Sequence, residues 1–226
     1  MESVMKTTKY NKTNIATSSK TVENKPVYSF IKRTFDIVCS LIALIVLSPV
    51  FLILAILVKT TSEGPVFFAH KRVGKNGKEI KIYKFRSMVT NAEELIKQFT
   101  PEQKAEYEKN FKLENDPRIT KVGKFMRKTS LDELPQLLNI LKGDISIVGP
   151  RPIMEVETEI YGNYRDMLLS VKPGLTGFWA ANGRSDTTYT RRRAMEIYYV
   201  KNRSLWLDIK IIFKTFVSVF KGEGAV

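Results

Sequence analysis

Asp132 and Glu133 stand side by side in TSLDELPQLLNILKGDISIVGPRP, residues Thr129 to Pro152, just ahead of an apolar run with helical spacing. Adjacent carboxylates in a basic chain can cap a helix, attack an electrophile or hold a hard cation through oxygen. Ser130-Leu131-Asp132-Glu133 fits the S-x-x-E capping box, in which Glu133 only caps. Pro135 would then fall past the first turn and delete a backbone bond, whereas a helix starting at Asp132 brings it back into that turn. Either start puts both carboxylates at a helix N-terminus, where the dipole and free N–H groups favour negative charge. An ionised carboxylate there, among Arg127, Lys128 and Arg151, suits a nucleophile toward phosphorus or a metal ligand. The residues alone leave capping and chemistry both open.

Arg151 lies in Gly149-Pro150-Arg151-Pro152, where flanking prolines stiffen the backbone and a guanidinium suits bidentate phosphate binding. A rigid loop with an exposed arginine is the plain alternative. Lys71, Arg72, Lys84, Arg86, Arg118, Lys121, Lys124 and Arg127 come in short clusters. Most such residues are solvated surface or attract anionic lipid, and two or three could hold a diphosphate. Asn182-Gly183-Arg184 opens a polar loop that enters a basic helix, which by composition is a turn with an N-cap. With one histidine, His70, and one cysteine, Cys39, a zinc site, a disulfide framework and most nucleophile–histidine triads are implausible. Neither G-x-x-x-x-G-K-[ST] nor G-x-G-x-x-G occurs, so the usual nucleotide-binding folds are not indicated.

The elements that must position these groups follow from the pattern. The 226 residues allow one domain with accessories, and 37 basic against 23 acidic residues give a net charge of +14. That surplus calls for an anionic partner: nucleic acid, acidic lipid or a phosphorylated substrate. Residues 1 to 28 form a polar, low-complexity tail. Ile37 to Val58 is apolar and uncharged, long enough for a hydrocarbon core of roughly 30 Å. Ser48-Pro49 interrupts it at the middle, and basic residues flank both ends, so a helix that enters one leaflet and returns is favoured over a straight span. Pro65 to Met88 reads as a hairpin about Asn76-Gly77, with Ile80, Ile82 and Phe85 facing inward and Lys81, Lys84 and Arg86 outward. Asn91 to Leu113 reads as one or two surface helices with a start at Thr100-Pro101. Glu155 to Ser170 reads as an amphipathic helix, Lys172 to Gly177 as a turn-rich connector, and Thr188 to Val200 and Ser204 to Phe220 as helices. The last carries an apolar stripe with Trp206, Ile209, Phe213 and Phe216, suited either to a core or to a membrane interface.

In chain order, FIKRTFDIVCSLIALIVLSPVF, EGPVFFAHKRVGKNGKEIKIYKFRSM, DPRITKVGKFMRKTSLDELPQLLNILKGDISIVGPRP, KPGLTGFWAANGRSD and YYVKNRSLWLDIKIIFKT closely resemble the bacterial monotopic phosphoglycosyl transferases, also called bacterial sugar transferases. The resemblance runs from Phe30 to the C-terminus. It implies transfer of a sugar 1-phosphate from a UDP-sugar to polyprenyl (undecaprenyl) phosphate with Mg²⁺, as the first membrane step of exopolysaccharide, capsule or other glycoconjugate synthesis. It further implies that Asp132 is the nucleophile, forming a covalent phosphosugar intermediate, with Glu133 serving Mg²⁺ and phosphate. Arg127, Arg151, Arg86 and Lys84 are then substrate-phosphate residues, Asn182, Gly183 and Arg184 belong to the nucleotide-sugar region, and Asp36, Ser48 and Pro49 to the re-entrant helix. ANGRSDTTY followed by YYVKNRSLWLDI points to glucose or galactose, and the short tail ahead of the core to the small form. The organisation expected is a tail over 1–28, a re-entrant membrane helix over 29–60, and a small α/β catalytic domain over 61–226 with amphipathic interfacial helices. It sits on the cytoplasmic face of the bacterial inner membrane, with membrane lipids but no nucleic acid as partners and homo-oligomerisation open. The competing expectation is a membrane-anchored basic scaffold or lipid-binding protein, which would have no use for Asp132.

Overall fold

A computed structural model describes residues 23–110, 113, 115–183 and 188–221, with side chains for all of these except 108–110 and 219–221. Two helices open it, α1 (Pro26–Val46) and α2 (Ser48–Thr61), bent by 63°. Residues 1–22 of the expected tail lie outside the described residues, and its last three residues already belong to α1. The bend has a local cause. Pro49 has no N–H to give the Ile45 carbonyl four residues back, and the Ser48 hydroxyl donates to that carbonyl instead at 2.8 Å. Among the described residues no single helix is long and apolar enough to cross a membrane.

The first sheet is the expected hairpin. Strands β1 (Phe67–Val73) and β2 (Glu79–Phe85) pair antiparallel about Asn76 and Gly77, both at positive φ (58° and 78°), as a type I′ turn requires. Ile80 and Ile82 pack against Leu137, Ile140 and Ile145, whereas Phe85 packs on a second cluster with Leu54, Val58 and Met126. The hairpin thus separates two small cores, which is why its apolar residues change phase after Ile82. Arg86, expected outward, is buried. Helices α3 (Ala92–Lys97) and α4 (Pro101–Asn110) follow, the second started by a reciprocal Thr100–Gln103 box. Arg118 anchors this polar segment: its guanidinium lies over the Phe99 and Tyr107 rings and pairs with Asp116 at 2.6 Å.

Helix α5 (Lys121–Thr129) leads through a 3-10 turn, Leu131–Glu133, to α6 (Gln136–Lys142). A short parallel pair, β3 (Ser146–Val148) and β4 (Gly174–Thr176), forms the second sheet. The connector expected over Lys172 to Gly177 is therefore partly a strand. The helix expected over Glu155 to Ser170 is a 3-10 run, Glu155–Tyr164, followed by α7 (Arg165–Leu169), because Gly162 takes a non-helical backbone (φ 47°, ψ −126°). Helices α8 (Phe178–Asn182), α9 (Tyr189–Asn202, capped by Thr188) and α10 (Leu205–Lys221) complete the described residues. The small mixed domain expected is present as helices around two separate two-stranded sheets.

The α1 helix docks by its polar side. Asp36 accepts from the Ile147 amide at 3.0 Å, Arg33 donates to the last carbonyls of α6 at Ile140 and Leu141, and Tyr28 and Lys32 reach Asp208 of α10 at 2.9 and 2.8 Å. Its apolar side faces out. Ile45 and Val46 of α1 and Leu52 and Ile53 of α2 are each more than half exposed, and so are Trp206, Ile209, Phe213 and Phe216 of α10. The α10 stripe is therefore a surface, not a core.

Candidate active site

Asp132 and Glu133 stand on the 3-10 turn, one turn ahead of α6 rather than inside its first turn. Ser130 is no N-cap. It adopts a left-handed backbone (φ 58°) that ends α5, and its side chain makes no cap bond. The Glu133 side chain reaches across to β2, where Lys84 Nζ donates to its Oε1 at 2.6 Å, and the same ammonium lies 3.8 Å from Asp132 Oδ2. Asn139 of α6 fixes this meeting. Fully buried, it donates to the Lys81 carbonyl at 2.6 Å and accepts from the Tyr83 amide at 2.9 Å, closing the outer edge of β2. Arg127, on the last turn of α5, is held by the Ser87 hydroxyl at 2.9 Å.

Asp132 is only 7% exposed. Burial is the largest influence on its carboxyl and pushes the pKa up; Lys84 and Arg127 pull it down and Glu133 pushes it further up. Lys84 and Arg127 act in the expected direction, and desolvation outweighs them in the net shift. A carboxylate shielded from water beside an ammonium is suited to attack phosphorus while the cation takes the phosphoryl oxygens. No cluster of three or more His, Cys, Asp or Glu able to hold a metal occurs among the described residues. Two carboxylates fit Mg²⁺ in another way, because that ion is commonly held by one or two of them with waters and substrate phosphates completing its shell.

A second set of charges adjoins the first. Cross-strand pairs Phe68–Lys84, His70–Ile82 and Arg72–Ile80 put Lys84, His70 and Arg72 on one face of the hairpin. Arg72 Nη2 lies 3.2 Å from His70 Nδ1, and its Nη1 lies 3.6 Å from Glu157, which Arg192 of α9 approaches at 3.4 Å. The Arg192 and Arg151 guanidiniums lie 4.8 and 5.6 Å from the Trp179 ring centre. Glu196, 1% exposed, accepts the Arg151 amide at 3.1 Å, and burial pushes its carboxyl up to about 7. The Arg151 loop follows β3, whose backbone lies so close to β4 that a Cβ on Gly174 would collide with the Gly149 amide.

The remaining expected site residues fall elsewhere. Arg86 turns away under the loop after α2, where its Nη2 donates to the Ser62 carbonyl at 2.7 Å. Asn182 ends α8 and bonds to Phe178 and to Lys214 of α10, with Gly183 as the cap; Arg184 lies outside the described residues. Ser48 and Pro49 form the bend. Asn139, Glu157, Trp179, Arg192 and Glu196 were not singled out from sequence. One signal was available: Arg192, Glu196 and Tyr199 repeat at four and three residues, a polar stripe on a helix face that also carries Val200 into the core.

Residues 27–222 match the family described as bacterial sugar transferase. Among relatives, the undecaprenyl-phosphate galactose phosphotransferase of Salmonella typhimurium is 53% identical over 199 residues, which are 87% of this chain and 42% of that protein. The exopolysaccharide production protein ExoY of Sinorhizobium fredii is 45% identical over 89% of this chain and 90% of its own length. The UDP-glucose:undecaprenyl-phosphate glucose-1-phosphate transferase of Escherichia coli is 42% identical over 87% of this chain and 41% of that protein. The chain thus spans less than half the length of several relatives and nearly all of ExoY. Since the match takes in the helix pair, the hairpin, the acid pair and the Arg151 loop together, the chain belongs to the bacterial sugar transferase family.

Proposed function

We propose that the chain transfers a sugar 1-phosphate from a UDP-sugar to polyprenyl phosphate, as the first membrane step of exopolysaccharide, capsule or other glycoconjugate synthesis. The observation that carries this reading is the buried Asp132 carboxylate with Lys84 at 3.8 Å. In the first step an Asp132 oxygen attacks the sugar-bearing phosphorus, the bond to the bridging oxygen breaks, and UMP leaves with that oxygen and its electron pair. In the second step an oxygen of polyprenyl phosphate attacks the same phosphorus and frees the carboxylate, giving polyprenyl diphosphate sugar. No proton needs to move in either displacement, which suits a site without a histidine beside the acid pair. Lys84, Arg127 and Arg151 offset the phosphoryl charge. Asp132 and Glu133 would hold Mg²⁺, which when bound supplies further charge neutralisation at the phosphates.

Glucose or galactose is the sugar proposed, on the names of the Salmonella and Escherichia coli relatives; a relative from Aeromonas hydrophila is named for N-acetylgalactosamine. The membrane reading rests on inverted amphipathicity: α1 buries Asp36 and Ser40 and turns Leu41, Ile45 and Val46 outward. With α10 presenting Trp206 and Phe213 as well, the molecule would rest in the cytoplasmic leaflet of the inner membrane, the helix pair entering and returning on the same side. An assay with UDP-galactose or UDP-glucose, Mg²⁺ and undecaprenyl phosphate in lipid tests this. UMP release with lipid-linked sugar, lost in Asp132→Asn, is the result expected. Turnover that survives in the variant would remove Asp132 from its role, and inert wild type with these and N-acetylated donors would favour a scaffold.

A further inference from the structure

Three guanidiniums meet at the end of the hairpin face away from the acid pair, and they are under-compensated. Arg192 is 8% exposed, yet among the described residues its Nε and Nη2 have no hydrogen-bond partner, and neither has Arg72 Nη1. The carboxylates around them are Glu157, shared between Arg72 and Arg192, and Glu196, one oxygen of which is taken by the Arg151 amide. Tyr161 and Tyr189 beside Arg192 and His70 beside Arg72 are further titratable groups here. Among the described residues, three cations therefore face two acids, one of which burial pushes toward its neutral form. Buried donors left unmade are costly, so a fold that retains them this close together is kept for a ligand able to accept them.

The geometry also says which ligand. The Arg192 and Arg151 guanidiniums both lie over the Trp179 ring, at 4.8 and 5.6 Å from its centre, a contact with the ring face that leaves N–H edges for another acceptor. Edges held in place match a phosphate in bidentate fashion. The site is continuous with the acid pair through the Lys84–His70–Arg72 face. Along the strand Lys84 and the partner of Arg72 are four residues apart, about 13 Å, a gap that the long side chains shorten. We propose that Arg72, Arg151 and Arg192 form a second phosphate site, which holds a phosphate of one substrate while Lys84 and Arg127 attend the phosphorus under attack. The inference rests on the transfer reading above. The phosphate comes either from the anhydride of the donor or from the monoester of the acceptor.

The test titrates inorganic pyrophosphate into the full chain in lipid nanodiscs, for wild type, Arg192→Lys and Glu157→Gln, with melting temperatures taken alongside. Exchanging the fork for a point charge should weaken binding about tenfold or more. Removing the competing Glu157 charge should tighten it, a gain that misfolding cannot imitate. Steady-state assays then separate the sources: Arg192→Lys raises KM for the UDP-sugar alone if the site takes the anhydride, and for polyprenyl phosphate alone if it takes the monoester. Equal pyrophosphate affinity in all three proteins, with both KM values unchanged, would reduce the arginines to a structural network and overturn the proposal. If wild type turns over no sugar nucleotide, the transfer reading fails while the titration still decides the site.

Discussion

Asp208, where α1 meets α10, and Asp132, between α5 and α6, are both shielded from water, at 6% and 7% exposure, and their surroundings differ. Asp208 receives Tyr28, Tyr199 and Lys32, all within 2.9 Å, and so binds α1 to α9 and α10. Asp132 has its paired cation at 3.8 Å, and that ammonium sits closer to Glu133. The same contrast holds for arginine. Arg33 spends its donors on two carbonyls at the end of α6, whereas among the described residues two nitrogens of Arg192 are unmatched. Saturated charge marks where the fold is held together, and unsaturated charge marks where it is held ready.

The largest effect expected is at Asp132. Asp132→Asn should lower turnover by about 10³-fold or more and abolish any phosphosugar adduct retained on the protein through denaturation. Stability should not follow activity down. The carboxyl pKa is raised in the fold, so the folded state binds that proton more tightly than the unfolded one. Stability from this group therefore falls as pH climbs from the ordinary Asp range through the raised value, and the cost is fully present above it. Asparagine escapes that cost, so the variant should melt no lower than wild type at pH 8. A variant that melts well below wild type at pH 8 would place Asp132 with Asp208, among the structural acids.

Asp208→Ala inverts the pattern. Three donors lose their common acceptor in a buried junction, and the expected loss is about 3 kcal/mol or more of stability, read by denaturant unfolding in detergent. Activity per folded molecule should change far less than in Asp132→Asn. A variant that unfolds normally but is inactive would break the comparison from the other side, by giving Asp208 a chemical role.

Lys84→Met should have a smaller effect with a definite sign. The Lys84 charge lowers the Asp132 pKa, so its removal lets burial push that value further up. The acidic limb of kcat/KM then moves to higher pH, beyond any loss of rate. Glu133→Gln should move the limb the opposite way, because Glu133 raises the same carboxyl. Two limbs that shift together would show that the group titrating in the profile is not Asp132.

How far all this was legible depended on whether a local rule decided the conformation. Asn76-Gly77 fixed its hairpin, Thr100-Pro101 its helix start and Ser48-Pro49 its bend, because each acts on backbone within a turn. β4 escaped notice since three residues carry no period, and its pairing depends on glycines at 149 and 174 meeting across the chain. Ser130 and Glu133 formed a box in sequence, but Ser130 went left-handed to end α5 and Glu133 turned to Lys84. Arg86 was expected outward and Arg192 was passed over for one reason. Nothing local separates an arginine that faces water from one folded inward, and the three arginines at the start of α9 differ only in which helix face the rest of the domain covers. At the acid pair the adjacency of the two carboxylates was legible while the burial of Asp132 was not, because burial depends on how the flanking Leu131 and Leu134 pack onto the distant Leu54, Val58, Phe85 and Met126.

The smallest effect sharpens the comparison most, because it asks what surrounds the bend. In wild type the Ile45 carbonyl, left without its helical donor by Pro49, is covered by Ser48 at 2.8 Å. If the bend lies in hydrocarbon, Ser48→Ala strands that carbonyl and costs about 1 kcal/mol or more, while Ser48→Thr keeps a hydroxyl and restores most of it. If water reaches the bend, it replaces the hydroxyl and the alanine variant is close to neutral. Unfolding midpoints of the three proteins in lipid nanodiscs separate these cases. A loss in alanine rescued by threonine puts the bend within the leaflet, as the re-entrant reading requires. Equal midpoints would place it at headgroup level, with the outward apolar faces of α1 and α2 lying along the interface as proposed for α10, and α1 would then be docked on the domain's membrane side without entering the membrane core.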